Sequence, residues 1–404
     1  MKSKINIVIV GGGACSLMLG CELNPSIFNV SVYDANVAVG RKFLVAGAGG
    51  LNITHSKKPN EFIEMYTPNK FLIDAFNSFN NIDLQHWLKN KLNISTYVGT
   101  SGKVFPTKEI KPIEVLNAFI NKSKLNNVNF HNKHTWLGFK KNALLFKKEN
   151  TEVLIEADVV IFCLGGASWP VTGSNGVWLN NFTEHKIETL TFEASNCSVE
   201  IKWPTDLINL IEGKHLKNCS FKVNEKTIKG EVVITKFGLE GNGIYGLSTL
   251  IREGLKKNNF CDLFIDFKPQ QSKEFVIKKL NESKYNNQTK KLSEILKLST
   301  VQIHLIKHFL TKEDFLNNEI LAHKIKHFHL SISSFGSIED AISTVGGISL
   351  KEINKYFEFK KLPNHFAIGE MLNYDAPTGG YLLQSCFSMA YFLSSHLNAK
   401  HLEK

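Results

Sequence analysis

The residues near the N-terminus that can do chemistry are three consecutive glycines and an acid. Gly11-Gly12-Gly13 follow the apolar run Ile5–Val10, and Asp34 closes the next apolar segment, Val30–Tyr33. Gly11 allows a sharp turn, and Gly13 lets backbone N–H groups approach a diphosphate with no Cβ in the way. A helix beginning at Ala14 aims its positive N-terminus at the same anion. Asp34 stands at the usual spacing for a carboxylate that accepts hydrogen bonds from ribose hydroxyls. The third glycine position of the Gly-x-Gly-x-x-Gly pattern is Ser16, a small residue. Strand, glycines, helix, strand and acid fall in the order that a dinucleotide site requires.

Two further stretches point to the longer of the dinucleotide cofactors. "VGRKFLVAGAGGLNITHS" (Val39–Ser56) combines Arg41 and Lys42 with Gly47, Gly49, Gly50 and Asn52. A nicotinamide fold would proceed to another helix here, whereas a basic, glycine-rich loop suits the diphosphate and flavin end of FAD. "ADVVIFCLGGAS" (Ala157–Ser168) is an apolar strand running into Gly165, which returns the chain to the sheet. Near the other end, "HFAIGEMLNYDAPTGGYLLQ" reads as a strand, Gly369-Glu370, a loop, and Gly379-Gly380 before an apolar helix. Glu370 is a candidate for the flavin's ribityl chain, and the helix start at Gly380 for negative charge on the reduced ring. A single site built from both chain ends implies a discontinuous domain.

The whole chain fits this reading. Its 404 residues suffice for two or three domains, and 43% hydrophobic with 21% charged residues describes a globular protein. The first apolar run breaks on glycine after six residues, too short for a secretion signal. No run approaches the roughly 18 apolar residues of a membrane helix. Seven scattered cysteines without a CxxC pair argue for reduced thiols in a cytoplasm. The net charge of +11 would suit an anionic partner, but the lysines are spread along Asn-rich polar segments. Nucleic acid is therefore not the expected main partner.

The middle of the chain holds two features that imitate sites. Gly241-Asn242-Gly243-Ile244-Tyr245-Gly246 follows a strand-like segment and precedes Leu247–Leu255, with Asp266 ending a later strand. Taken alone it is a second dinucleotide site, and hence a nicotinamide-dependent flavin reductase. The preceding segment lacks crossover helices, which favours a structural or substrate-facing loop. His304 and His308 share a helix face, but Leu305 stands where a metalloprotease helix needs Glu, so no metal is expected. Residues from Pro269 to about His327 read as helices with lysine-rich faces that need only water.

Five stretches together resemble the bacterial FAD-dependent flavoproteins grouped with aminoacetone oxidase and the BaiN/RdsA-type oxidoreductases. They are GGGACSLM, GRKFLVAGAGGLNITHS, ADVVIFCLGGASWP, ITKFGLEGNGIYGLS and GEMLNYDAPTGGYLLQ. The resemblance implies an α/β fold: a discontinuous Rossmann-like FAD-binding domain (1–194 and 329–404), a mostly β insert (195–268) and a helical subdomain (269–328). It implies Gly11, Gly13, Ala14, Asp34, Arg41, Lys42, Asn52, Gly165, Gly369, Glu370, Gly380 and Tyr381 as cofactor-binding. The expected function is a cytoplasmic FAD-dependent oxidoreductase of an unidentified small molecule, with NAD(P) or oxygen as electron acceptor. Thr54, His55 and Tyr245 are the candidates near the flavin ring. The alternatives are a nicotinamide-dependent enzyme using the second glycine motif and a basic flavin-containing nucleic-acid-binding protein.

Overall fold

A computed structural model describes residues 3–47, 49–99 and 101–402. The chain divides into two compact units, Met1–Glu193 with Ser343–Lys404, and Ala194–Ile342.

The first unit is built on five parallel strands: β1 (Ile5–Val10), β2 (Phe28–Tyr33), β3 (Asn129–His131), β4 (Val159–Phe162) and β5 (His365–Ala367). Their spatial order is β5-β4-β1-β2-β3, so the connection reverses direction between β1 and β4. Ligands of open α/β sheets bind outside the carboxyl ends of the strands at such a reversal. β1 pairs with both neighbours in register, Ile7 opposite Val159 on one side and Val30 on the other. All four residues of β4 are buried, as expected of a strand covered on both faces.

Four helices matter to the site: α1 (Ala14–Glu22), α2 (Arg41–Ala46), α3 (Pro112–Leu125) and α4 (Tyr381–Leu402). α1 carries no charge before its last residue, and Cys15–Cys21 are all buried. It packs against α3 and α4. A Cβ on Gly20 would lie 2.6 Å from the Ser123 hydroxyl of α3, so Gly20 sets how closely those helices approach. An antiparallel sheet (His134–Lys140, Ala143–Lys148, Thr151–Ile155) places Trp136 and Phe139 on the ring cluster of Phe162 and Phe182.

The second unit is a seven-stranded antiparallel sheet ordered Phe328–Ile332, Cys261–Asp266, His215–Val223, Lys226–Ile234, Gly238–Glu240, Val199–Glu200 and Ser334–Phe335. The helices between Lys273 and Lys326 share one core with this sheet: Phe221, Leu263 and Phe328 cluster with Val276, Leu280, Leu305 and Leu321. The sequence suggests separate β and helical pieces ending at residue 328. The structure instead carries the unit on to Ile342, because Phe328–Ile332 pairs with Cys261–Asp266 and completes the sheet edge.

Candidate cofactor site

A cleft of about 320 Å³ opens at the β1/β4 reversal, within the range of ligand clefts, roughly 300–1,000 Å³. Its walls come from Val10–Gly13 after β1, Tyr33–Asn36 after β2, Gly40–Lys42 at the start of α2, and Cys163–Gly165 after β4. His134, Trp136 and Trp178 close one side. Of the residues implied for the cofactor, it brings together Gly11, Gly13, Asp34, Arg41, Lys42 and Gly165.

The two key glycines serve different purposes. Gly11 has φ +99°, and a Cβ there would run into the carbonyl of Cys163 on the neighbouring strand. Its glycine is required by the protein itself. Gly13 has φ −85°, open to any residue, and a Cβ there would meet nothing within 4 Å. It is the N-cap of α1, with no side chain spent on the first-turn N–H groups that follow it. No protein neighbour among the described residues explains the glycine.

Asp34 is held for hydrogen bonding. Its Oδ2 accepts from the Gly12 N–H at 2.7 Å. Its Oδ1 accepts from the Asn36 N–H at 2.7 Å and the Asn36 amide at 3.0 Å. A carboxylate has about four acceptor positions, so some remain for ribose hydroxyls. Asn36, which the motif reading passes over, also donates to the Thr172 carbonyl at 2.9 Å, tying the turn after β2 to the loop after β4.

The basic pair divides. Lys42 Nζ donates to Ser168 Oγ at 2.8 Å and to Glu370 Oε2 at 2.9 Å. Glu370 is buried, and its Oε1 accepts from the Thr344 N–H at 3.0 Å. Both carboxylate oxygens are thus engaged by the chain. Arg41 is exposed, lines the cleft, and has no side-chain partner among the described residues.

The remaining expected residues, Ala14, Asn52, Gly369, Glu370, Gly380 and Tyr381, lie outside the cleft lining. Gly380 (φ +90°) sits on the Thr54 backbone, where a Cβ would fall 2.5 Å from Thr54 Cα. Tyr381 stacks on His55 at 5.4 Å between ring centres and packs on Phe62. Burial pushes its phenol up to about 12. Asn52 donates its amide to the Thr54 and Val104 carbonyls. Gly369 faces Cys15 Sγ, 2.7 Å from where its Cβ would be. Thr54 is fully buried and donates to Gln384 Oε1 at 2.8 Å. His55 accepts the Lys57 N–H at Nδ1, so its proton rests on Nε2, which donates to the Ser101 carbonyl. Burial lowers its pKa and keeps it neutral.

Tyr245 lies in the second unit, in the four-residue helix Asn242–Tyr245, with its phenol pushed up to about 12 by burial. The glycines around it are used for packing. A Cβ on Gly241 would lie 2.8 Å from the Glu231 carbonyl, on Gly243 2.6 Å from the Phe221 ring, and on Gly246 2.5 Å from Ile228. The helix lies directly on an antiparallel sheet, and its glycines let it do so. Gly13 shows the opposite pattern. His308 faces Asp206 at 3.5 Å, and among the described residues no group of three or more His, Cys, Asp or Glu could hold a metal.

Two features of the site carry no recognisable motif. Among the described residues, the indole N–H groups of Trp136 and Trp178 are buried without an acceptor, although both residues line the cleft. Ser16 fits in the third glycine position with its hydroxyl buried and without a partner among the described residues.

The reversal of strand order, the open Gly13 cradle, the prepared Asp34 and the free Arg41 define a Rossmann-type dinucleotide-binding protein of the flavoprotein class, and FAD is its cofactor. The chain belongs to the family described as HI0933-like protein Rossmann domain, whose model matches residues 5–396. Among curated proteins it is similar to the ribosomal RNA dihydrouridine synthase of Escherichia coli (strain K12), 20% identical over 98% of each chain. It is likewise similar to that of Haemophilus influenzae, 20% identical over 95% of this chain and 96% of the relative. Among solved structures, the open conformation of a flavocytochrome c3 fumarate reductase shares the fold. It matches with a TM-score of 0.50 and 13% identity over 100% of this chain and 79% of that one. No helix among the described residues is long and apolar enough to cross a membrane.

Proposed function

We propose that the protein is an FAD-dependent oxidoreductase whose substrate is a pyrimidine base of RNA, reduced across its 5,6 double bond. What carries this reading is the end-to-end similarity to two proteins named ribosomal RNA dihydrouridine synthases, running through the cofactor cleft and the second unit alike. The net charge of +11 supports it, since phosphate contacts supply much of the affinity for RNA. The reading departs from the expectation drawn from the lysine spread alone, which set nucleic acid aside. It places the protein in the cytoplasm, with its thiols reduced.

Bound FAD, once reduced by a nicotinamide donor such as NADPH, would pass two electrons to the base; the chain supplies binding, orientation and electrostatics. Gly13 and the first turn of α1 hold the diphosphate, Asp34 the adenosine ribose, and Arg41 adds a cation at the cleft edge. The Lys42–Glu370 pair ties α2, which lines the cleft, to the segment that follows β5.

The test is direct. FAD-loaded protein is incubated with unmodified ribosomal RNA transcript and NADPH, and the nucleosides are analysed by mass spectrometry. Dihydrouridine is the expected product. Its absence from protein that oxidises NADPH with a small-molecule acceptor would return the substrate to the small-molecule class.

A further inference from the structure

The helical part of the second unit has a surface that the cofactor cleft does not use. From Lys273 to Lys297 the chain carries seven lysines against three glutamates. Two lysines are matched locally, Lys278 with Glu282 and Lys297 with Glu294. Lys273, Lys279, Lys284, Lys290 and Lys291 form no ion pair among the described residues. The helix Lys273–Asn281 turns Val276 and Leu280 into the core, which fixes the lysines on its outer side. The loop beyond it is ordered by its own side chains: the Tyr285 N–H donates to Ser283 Oγ and the Lys290 N–H to Asn287 Oδ1.

A solvated lysine face needs no aromatic rings, yet this one holds two. Phe275 is 42% exposed, with Lys279 Nζ 5.5 Å from its ring centre. Tyr285 is half-buried, with Lys284 Nζ at the same 5.5 Å. Each aromatic ring thus sits beside an unmatched cation. Unpaired lysines suit phosphates, and flat exposed rings suit unstacked bases, whose π-faces stack regardless of sequence. An acidic protein surface would use the lysines but leave Phe275 in water.

We propose that the face formed by Lys273–Lys291 is the RNA-docking surface of this protein, with Lys279, Lys284, Lys290 and Lys291 on phosphates and Phe275 and Tyr285 against bases. The assignment rests on the RNA reading above and adds where RNA is held.

The test compares two quadruple variants of the FAD-loaded protein. One carries Lys279→Gln, Lys284→Gln, Lys290→Gln and Lys291→Gln. The other carries Lys89→Gln, Lys91→Gln, Lys108→Gln and Lys124→Gln, an equal charge loss on exposed positions of the first unit. Binding of a fluorescein-labelled ribosomal RNA hairpin is followed by anisotropy across a salt series. The first variant should bind at least tenfold more weakly at about 0.1 M salt, with a salt slope shallower by about 3–4. The control should keep the wild-type slope to within about 1. Phe275→Ala with Tyr285→Ala should weaken binding fivefold or more at an unchanged slope. Flavin content, melting temperature and NADPH oxidation should match the wild type throughout, which separates docking from folding. Equal losses in both quadruple variants, or none in the first, would overturn this surface while dihydrouridine formation still stood. Wild-type protein without affinity for the hairpin would overturn the RNA reading and the surface together.

Discussion

Lys42 and Glu370, far apart in sequence, meet at 2.9 Å, with the Glu370 side chain only 8% exposed. Lys42 lies in the first turn of α2, and Glu370 follows β5 near the other end of the chain. The pair is therefore a clasp that closes the discontinuous unit. Such pairs add little over apolar packing, but breaking one strands a buried charge, at about 3–5 kcal/mol. Lys42→Met should cost about 3 kcal/mol, the lower figure because the lysine is partly exposed. At roughly 2–4 °C per kcal/mol for a unit of this size, melting should fall by about 6–12 °C. Adding Glu370→Gln should recover most of the loss. A Lys42→Met protein that melts with the wild type would remove the clasp from this account.

The glycines of the first turn separate folding from binding. Gly11→Ala forces a Cβ onto the Cys163 carbonyl at a positive φ, so the variant should fold poorly whether or not FAD is added. Gly13→Asp meets open space and should fold normally, but it sets bulk and negative charge where the diphosphate is proposed to lie. It should purify colourless, with a wild-type circular dichroism spectrum. Yellow Gly13→Asp protein retaining stoichiometric FAD would refute the placement of the diphosphate. Gly243→Asp drives a side chain into the Phe221 ring, so its expected effect is unfolding of the second unit.

Stability should depend on pH through half-buried histidines. Burial lowers the pKa of His365, aided by the nearby His185 and opposed by its bond to the Pro363 carbonyl and by Glu358. The folded pKa thus lies below the unfolded value of about 6.5. Between the two, the unfolded chain binds a proton that the folded chain refuses, so stability is full above about 6.5 and declines as pH falls. His55, His131 and His396 shift the same way, each with burial as the main cause. Urea midpoints should therefore decrease from pH 7.5 to about 5, less steeply in His365→Phe. A midpoint that rises over that range would contradict the sign.

The cofactor half of the molecule was legible because its chemistry is local. The β1–α1 turn and Asp34 lie within one strand–helix–strand unit, and the backbone needs of that unit dictate residue types at fixed spacing. Contacts between distant segments were much less legible. Asn36 and Thr344 carry hydrogen bonds that shape the site, yet an Asn in a turn and a Thr in a strand announce nothing alone. The Gly346-Gly347 pair beside Thr344 was the available signal. Its glycines accept close backbone approach from Thr191 and Met371, which marks a crowded crossing. Trp136 and Trp178 belong to a ring cluster assembled from separate elements, and no spacing rule reaches them. The second glycine motif was ambiguous for a plain reason: tight packing on a sheet and close approach to a phosphate both require the loss of a Cβ.

Arg41 offers the sharpest test of how the cleft holds its ligand. It neighbours Lys42, whose ammonium is already committed to Ser168 and Glu370, so the two cations are not interchangeable. Arg41 is left with a planar, permanently charged fork at the cleft wall, suited to phosphate. A charge-assisted hydrogen bond of this kind is worth about 1.5–3 kcal/mol, or roughly ten- to a hundredfold in affinity. Arg41→Ala should weaken FAD binding to the apo-protein by that factor, with melting of the apo-protein unchanged. ADP, which keeps the diphosphate but lacks the flavin, should show the same loss. Lys42→Met should show the reverse pattern, a lower melting temperature with a smaller change in ADP affinity. If Arg41→Ala weakened FAD but left ADP binding intact, the arginine would act at the flavin end of the cofactor, and the diphosphate would rest on the backbone of Gly11–Gly13 and α1 alone.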